Sequence, residues 1–431
     1  MVSLGRLYTA KASLAGNHHP VRVAPVKLPI YNAAFPVFTR CELTMLLRPK
    51  NLVILGSTGS IGRNALEVAA ASPDRFQVVG LSANSQVELL TKQIQRFSPR
   101  WVTITDPTAA QRLDRAHIPP GTIVRTGRDA VASMVGEPEV DVVVSAIVGS
   151  AGLLGTWAAL DAGKPVALAN KETLVMAGQQ VMQLAADRGV SVVPVDSEHS
   201  AVFQLLSAGR REDVARVILT ASGGPFRRHT HQQLEQVTVA DALAHPTWNM
   251  GRKITVDSAT MMNKSLEIIE ARWLFGFPAE QIDVMIHPQS IVHSLVEFRD
   301  GSVVAQMSPP DMKLPIQYAL TYPERHPCPA PKMPWQTSFH LDFEPPDLER
   351  FPALTLGFQV ARDGGSSGAV LNAANEAAVA AFLDERLAYS QIVPACQAVL
   401  ASHDYDSSPS LDVLLQLDQW ARQEVIKWIG S

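Results

Sequence analysis

Residues 190–199 read Val-Ser-Val-Val-Pro-Val-Asp-Ser-Glu-His, a β-branched run that ends in two carboxylates, Asp196 and Glu198, with Ser197 between them and His199 behind. In an extended strand, residues two apart face the same side. The pair would then aim its oxygens at one point, which is how a hard divalent cation is held. A solvated acidic turn is the commoner fate of an isolated D-x-E, so the pair acquires meaning only from its surroundings. Residues 258–273 supply some of that meaning. Met262, Leu266, Ile269 and Trp273 recur there at helical spacing and predict an amphipathic helix. Asn263, Lys264 and Glu267 share its polar side. Ser258, Asn263 and Lys264 are donor types that grip a phosphate, and Glu267 offers a third carboxylate for the cation; the plainer reading is a solvated helix face.

A nucleotide site is written upstream. Residues 51–55 form an apolar strand that runs into Gly56, Gly59 and Gly62, and a helical stretch follows at 63–71. Glycine lets the backbone turn tightly and approach a pyrophosphate, and the helix start offers its free N–H groups to the anion. The second strand, 76–81, leads into Ser82-Ala-Asn-Ser-Gln. No acid lies between Asp74 and Glu88 to bind a ribose 2′-hydroxyl, which favours NADP over NAD, although no Arg or Lys occupies that turn either. Strands at 101–105 and 140–147 continue the alternation of a doubly wound sheet. Another, at 165–169, ends in Asn170, Lys171 and Glu172, at the sheet edge where ligands bind.

Further along, residues 217–221 predict a strand entering a Ser222-Gly-Gly turn, an anion cradle or simply a tight turn. Residues 243–251 mix His245, Trp248 and Met250 in a stretch too interrupted for a core element, as in a lid over a ligand. Strands are expected at 282–286 and 294–306, with a polar turn at 287–293 that either borders the cleft or is structural. Prolines crowd residues 328–352, the mark of a linker. Helices are expected at 354–363, 369–387 and 410–429.

At 431 residues the chain exceeds one core and predicts two or three domains. Its 46% hydrophobic and 18% charged residues are ordinary for a soluble enzyme, and a net charge of -4 leaves no footprint for nucleic acid or a membrane surface. Cys41, Cys328 and Cys396 are odd in number and far apart, against a disulfide framework or a zinc site. The uncharged stretch 142–160 is broken by Gly149, Gly152 and Gly155 and reads as a buried strand, a turn and a helix start rather than a membrane span. Residues 1–48 contain Arg6, Lys11, Arg22, Lys27 and Arg40 but only one acid, Glu42, the bias of an organellar transit peptide. A start codon set too far upstream is the other reading, and the one favoured. The expected location is the bacterial cytoplasm, or the plastid stroma if the segment is a transit peptide.

Taken together, these motifs resemble the 1-deoxy-D-xylulose 5-phosphate reductoisomerases, NADP-dependent enzymes of the non-mevalonate isoprenoid pathway. The matching stretches are GSTGSIG at 56–62, ALANKE at 167–172, PVDSEH at 194–199, SGGPF at 222–226, HPTWNMG at 245–251, VDSATMMNKSLEIIEA at 256–271, HPQSIVHS at 287–294 and NAANEAAVAAFL at 372–383. The resemblance implies an α/β fold: an N-terminal extension (1–48), a Rossmann-like NADPH-binding domain (49–195), an α+β catalytic domain with a lid loop (196–327), a linker (328–352) and a small C-terminal helical domain (353–431). It implies that Asp196, Glu198 and Glu267 bind one Mg2+ or Mn2+ and, with Lys171, carry catalysis. Lys171, Ser197, Glu198, Ser222, His245, Ser258, Asn263, Lys264 and Glu267 match substrate-binding positions, several for the phosphate. Thr58, Gly59, Ser60, Ile61, Asn84, Asn170, Glu172 and Gly251 match cofactor positions, and Trp248 and Met250 match the closing loop.

The implied reaction cleaves and rejoins a carbon-carbon bond of 1-deoxy-D-xylulose 5-phosphate, then reduces the aldehyde with NADPH to 2-C-methyl-D-erythritol 4-phosphate. A homodimer is implied as well, with no nucleic-acid or membrane partner. Two positions depart from the pattern: 84–86 is Asn-Ser-Gln where some relatives carry Gly-Lys-Asn, and Thr247 stands for an Asn. Two other classes compete. A semialdehyde or homoserine dehydrogenase would share the first domain without needing the three carboxylates, and a catalytically silent NADP sensor would not need them intact.

Overall fold

The computed structural model describes residues 48–248 and 250–430, so the extension expected at 1–48 lies outside the described residues, Arg48 excepted. Lys50–Leu55 (β1) alternates perfectly between two faces. Leu52 and Ile54 enter one apolar cluster, Val53 and Leu55 another, and all four are fully buried. A strand covered on both faces belongs inside a parallel sheet. Phe76–Ala83 (β2), Trp101–Ile104 (β3), Ile123–Thr126 (β4), Val142–Ser145 (β5), Val166–Leu168 (β6) and Val192–Pro194 (β7) complete a parallel sheet of order β4-β3-β2-β1-β5-β6-β7. Strands leave β1 in both directions, so the order reverses between β1 and β5. That switch opens a crevice at the carboxyl ends of the strands. Gly56 sits there at φ 76°, and a Cβ on it would lie 2.6 Å from the Ala146 carbonyl oxygen, so the turn accepts only glycine.

A second sheet, of order β11-β10-β8-β9, comprises Val214–Ala221 (β8), Ile282–Ile286 (β9), Val292–Phe298 (β10) and Val303–Met307 (β11). Four helices follow the proline-rich segment: Ala353–Asp363, Ser367–Leu383, Ile392–Ser402 and Leu411–Gly430. Val217 and Leu219 of the second sheet, Leu266 and Ile268 of the Met262–Phe275 helix, and Val370, Phe382 and Val399 of the C-terminal helices share one core. The Ser367–Leu383 helix packs on Lys171–Arg188. A Cβ at Gly368 would collide with the Val175 carbonyl, so these two helices meet backbone to backbone. No described helix is long and apolar enough to cross a membrane.

Several expected elements change shape. The run through Asp196 and Glu198 is not extended: β7 stops at Pro194, Asp196 caps the Ser197–Leu205 helix and Glu198 lies in its first turn. The first helix starts at Ser60, β5 is shorter than expected, and residues 294–306 form a β10–β11 hairpin rather than one strand. The helix read at 258–273 is two, Arg252–Ala259 and Met262–Phe275, broken at Met261, whose φ of 64° is left-handed. Strand β4 and helices Lys313–Thr321 and Ile392–Ser402 carry no expectation. Residues 328–352 are irregular apart from one bridge between Ile286 and Glu344.

Candidate active site

The crevice continues into a cleft of about 560 Å3 that reaches from the glycine turn to the second sheet. Three helix starts converge on it. Asn170 caps Lys171–Arg188, Asp196 caps Ser197–Leu205, and Met261 turns the first two turns of Met262–Phe275 inward. Lys171, Asp196, Glu198, Asn263, Lys264 and Glu267 therefore meet. The Lys171 ammonium contacts Asp196 and lies 3.3 Å from Glu267 Oε1. The Lys264 ammonium lies 2.8 Å from Glu198 Oε1 and contacts Glu267 Oε2. Asn263 donates its amide to Glu267 at 2.5 Å, and the Ser197 hydroxyl donates to Glu198 at 2.7 Å. Lys264 and Glu267, expected on a polar helix side, are almost fully buried, 3% and 1% exposed. Polar here means facing other polar groups, not water.

Electrostatics follow from burial. Removal from water works against both ammoniums, yet the facing carboxylates win and hold Lys171 and Lys264 protonated. Burial would also raise Glu198, but Lys264 outweighs it and brings the carboxyl down to about 2. At Asp196 burial prevails over Lys171, helped by the Glu267 charge, and pushes the group up. Three carboxylates against two ammoniums leave one surplus negative charge. Asp196 Oδ2 and Asn263 Oδ1 are buried without a well-directed hydrogen bond. A surplus anionic charge on an all-oxygen set, with lone pairs to spare, fits a hard divalent cation.

Behind this group lies a pair that the sequence reading left unused. His199 Nε2 is 2.9 Å from the Glu267 carbonyl oxygen and Nδ1 is 3.3 Å from Glu270 Oε2, both side chains being buried. Burial drives the imidazole down to about 4 and the Glu270 carboxyl well up, the latter reinforced by Asp196. Both are then neutral: Nε2–H donates to the Glu267 carbonyl, while Nδ1 and Glu270 Oε2 face each other in the interior without a well-directed hydrogen bond. Ligand atoms of Asp196, His199 and Glu270 lie within 4.8 Å of one another. A neutral acid is a poor cation ligand, so the anionic oxygens of Asp196, Glu198 and Glu267 remain the better set.

On the far wall three donors form a triangle. His245 Nε2 lies 3.2 Å from the Ser222 hydroxyl and 3.1 Å from the Ser258 hydroxyl. Its Nδ1 accepts from the backbone N–H groups of Thr247 and Trp248, at 3.1 and 2.9 Å, so Nε2 carries the proton. Burial keeps this ring on the neutral side. The triangle can receive a phosphate. Trp248 and Met250 overhang the cleft, the Trp248 ring lying 6.5 Å from His293.

Thr58, Gly59, Ser60, Ile61, Asn170, Glu172 and Gly251 line the nucleotide end of the cleft. The Ser60–Ala71 helix has no side-chain cap and no acid in its first turn, so its N–H groups remain for an anion. Asn170 and Glu172 use their polar atoms inside the protein. The Asn170 amide donates to the Ile147 and Gly149 carbonyls at 2.7 and 3.0 Å, and Lys253 pairs with Glu172 at 2.7 Å. Asn84 is not part of the cleft lining; its side chain accepts from Thr105 beyond the end of β2. Lys253, Ser290, His293 and Met312 also line the cleft and were not singled out as site residues. The HPQSIVHS turn was the available signal for Ser290 and His293, whereas nothing in the sequence marks Met312. His287 is structural, held by the Asp342 carbonyl at 2.8 Å.

Comparison with known proteins gives the chain a family. The family model for 1-deoxy-D-xylulose 5-phosphate reductoisomerase matches residues 52–178, its C-terminal domain model matches 192–275, and the DXP reductoisomerase C-terminal domain model matches 307–424. The 1-deoxy-D-xylulose 5-phosphate reductoisomerase of Geotalea daltonii is 51% identical over 382 residues, 89% of this chain and all of the relative. That of Pelotomaculum thermopropionicum is 52% identical over 384 residues, 88% of this chain and 98% of the relative. A crystal structure of DOX-P reductoisomerase in complex with NADPH, fosmidomycin and magnesium superposes with a TM-score of 0.83 at 39% identity, over 88% of this chain and 98% of the other. The Zymomonas mobilis enzyme in complex with NADPH gives 0.83 at 41% identity, over 89% of this chain and all of the other. This chain belongs to the 1-deoxy-D-xylulose 5-phosphate reductoisomerase family.

Proposed function

We propose that this chain converts 1-deoxy-D-xylulose 5-phosphate to 2-C-methyl-D-erythritol 4-phosphate, using NADPH and one divalent cation, Mg2+ or Mn2+. The observation that carries the reading is the buried group of three carboxylates and two ammoniums, set between a nucleotide crevice on one side and the Ser222–His245–Ser258 triangle on the other. Asp196, Glu198 and Glu267 would hold the cation. Bound there, it would polarise neighbouring carbonyl and hydroxyl oxygens of the ketose, and bound NADPH would supply the hydride. Ser222, Ser258 and His245, with Asn263 and Lys264 nearby, receive the substrate phosphate. Ser197 orients Glu198, and Lys171 stays cationic to meet negative charge that develops during the carbon-carbon rearrangement. Thr58, Gly59, Ser60 and Ile61 offer backbone to the cofactor pyrophosphate. Asn170 and Glu172 hold the crevice wall beside it, and Gly251 leaves room for it. Trp248 and Met250 exclude water from the reactive aldehyde.

The test is NADPH oxidation in the presence of the phosphorylated ketose. Turnover should require the ketose, vanish on thorough chelation and return with Mg2+ or Mn2+. Turnover that survives chelation would sink the reading and favour a metal-free dehydrogenase. We further propose a cytoplasmic homodimer. The bacterial relatives support the location. The strand β11, where Val303 is 51% exposed, is, among the described residues, an unpaired sheet edge that a second copy could cover. A monomeric mass by light scattering would contradict the dimer.

A further inference from the structure

The second strand of a dinucleotide-binding sheet ends beside the adenosine ribose, and a cation there is the usual reader of a 2′-phosphate. In this chain the turn after β2, residues 84–86, contains neither acid nor base. The fold brings a base to it from the next unit. Arg112 follows β3 and the short Pro107–Ala110 helix, and its Nη2 donates to the Ser85 carbonyl oxygen at 2.7 Å. The guanidinium is half exposed, and among the described residues its other close polar neighbour is Glu88, 3.7 Å from Nη1. A guanidinium has five N–H donors in a planar fork, so most remain for a ligand. An exposed pair such as Arg112 with Glu88 exchanges readily for a doubly charged anion.

The turn itself is prepared for an acceptor. Asn84 Oδ1 accepts from the Thr105 hydroxyl at 2.9 Å, which leaves the amide NH2 as the end that can serve a ligand. The Val87–Phe97 helix starts immediately afterwards, and its Gln86 cap makes no side-chain hydrogen bond to the first-turn N–H groups. Helix, amide and guanidinium thus meet at one strand end.

We propose that Arg112 is the residue by which this chain distinguishes NADPH from NADH, pairing with the 2′-phosphate above the 84–86 turn. The proposal rests on the NADPH reading given above. Arg63, which lines the cleft on the Ser60–Ala71 helix, is the competing cation. It lies at the pyrophosphate end of the crevice, where NADH and NADPH are alike.

Direct titration of the full chain with NADPH and with NADH, followed by calorimetry, tests this without catalysis. Arg112→Gln should weaken NADPH roughly ten- to hundredfold, the scale of a lost charge-assisted pair, and change NADH by less than about twofold. Arg112→Lys should recover part of the preference, since it keeps the charge but not the fork. Arg63→Gln should weaken both nucleotides alike. An unchanged NADPH affinity in Arg112→Gln, an equal loss for both nucleotides, or a preference abolished by Arg63→Gln instead would each overturn the role of Arg112. A wild-type chain that binds NADH as tightly as NADPH would overturn the cofactor reading itself, and this proposal with it.

Discussion

Replacing Glu267 by Gln removes one negative charge from a buried group in which Asp196, Glu198 and Glu267 face Lys171 and Lys264. Size and hydrogen-bonding reach are nearly unchanged, so the effect is electrostatic. Without the cation the variant should fold normally. Leaving a buried charge with no partner costs about 3–5 kcal/mol, but here neither lysine is orphaned: Lys171 keeps Asp196, and Lys264 keeps Glu198 at 2.8 Å. With the cation the outcome differs. Residues that merely orient metal ligands are worth about 10–100-fold in affinity, so losing an anionic ligand should cost at least about 100-fold.

At a free metal concentration about one hundred times the wild-type Kd, binding stabilises the fold by ~2.7 kcal/mol, and in the variant by ~0.4 kcal/mol. With an unfolding entropy of about 2.1 cal/mol/K per residue, metal should raise the melting temperature of the wild type by about 2.5 °C more than that of the variant. Mn2+ titration by calorimetry gives the affinity, and thermal melts with and without metal give the shift. NADPH affinity should persist. Equal Mn2+ affinity in the two proteins would refute the assignment of Glu267, and a metal-free variant melting many degrees lower would refute the charge count.

Three further outcomes follow from geometry already described. His199 is fully buried with its pKa lowered to about 4 from an ordinary 6.5, so the unfolded chain binds its proton first. That stability is fully present above about pH 6.5 and is lost as pH falls toward 4; it amounts to about 3 kcal/mol, and His199→Asn should flatten denaturant-derived stability over that window. An equally steep profile in the variant would show that another group titrates. Gly368→Ala should cost about 1–3 kcal/mol, since its Cβ meets the Val175 carbonyl and neither helix can retreat without opening the core; a variant as stable as wild type by urea denaturation would show that the helices can separate freely. Arg422→Met should destabilise by roughly 1–3 kcal/mol in the same assay, because its head group joins Glu376 at 2.7 Å, Asp418 at 2.8 Å and the Ser150 hydroxyl at 3.1 Å; an unchanged midpoint would make that network ornamental.

Much of the site was legible because the residues that carry it lie at strand ends and helix starts, where parallel sheets present ligands whatever the local backbone does. Asp196 and Glu198 illustrate this. The extended geometry expected for them is wrong, yet both side chains reach the cleft from a helix start. Glu267 and Lys264 were assigned to a polar face, but sequence cannot tell a face turned to water from one turned to other buried charges. Met261 shows a different limit. A left-handed methionine carries no local signal, since glycine or asparagine usually fills such a position, and so the helix break went unread. The exposed, four-residue strand β4 lacks the apolar run that marks a buried strand. Pro315 and Pro394 lie inside helices, at Lys313–Thr321 and Ile392–Ser402, and disguised both. The role of Arg112 was invisible for a plainer reason: it is set by a contact between units that follow different strands.

The Arg422 contacts have a consequence for biosynthesis. Glu376 accepts the Ser150 backbone N–H at 2.9 Å, and Arg422, 272 residues beyond Ser150, ties the same loop to the last described helix. That loop forms one wall of the nucleotide crevice. A nascent chain emerging from the ribosome can pair β1 with β5 and form its glycine turn early, but it lacks this buttress until residue 422 has been made. Closing so long a loop is among the slow steps of folding. Cofactor should therefore be captured late, by a chain whose final helix has already docked, rather than by the first sheet as it appears.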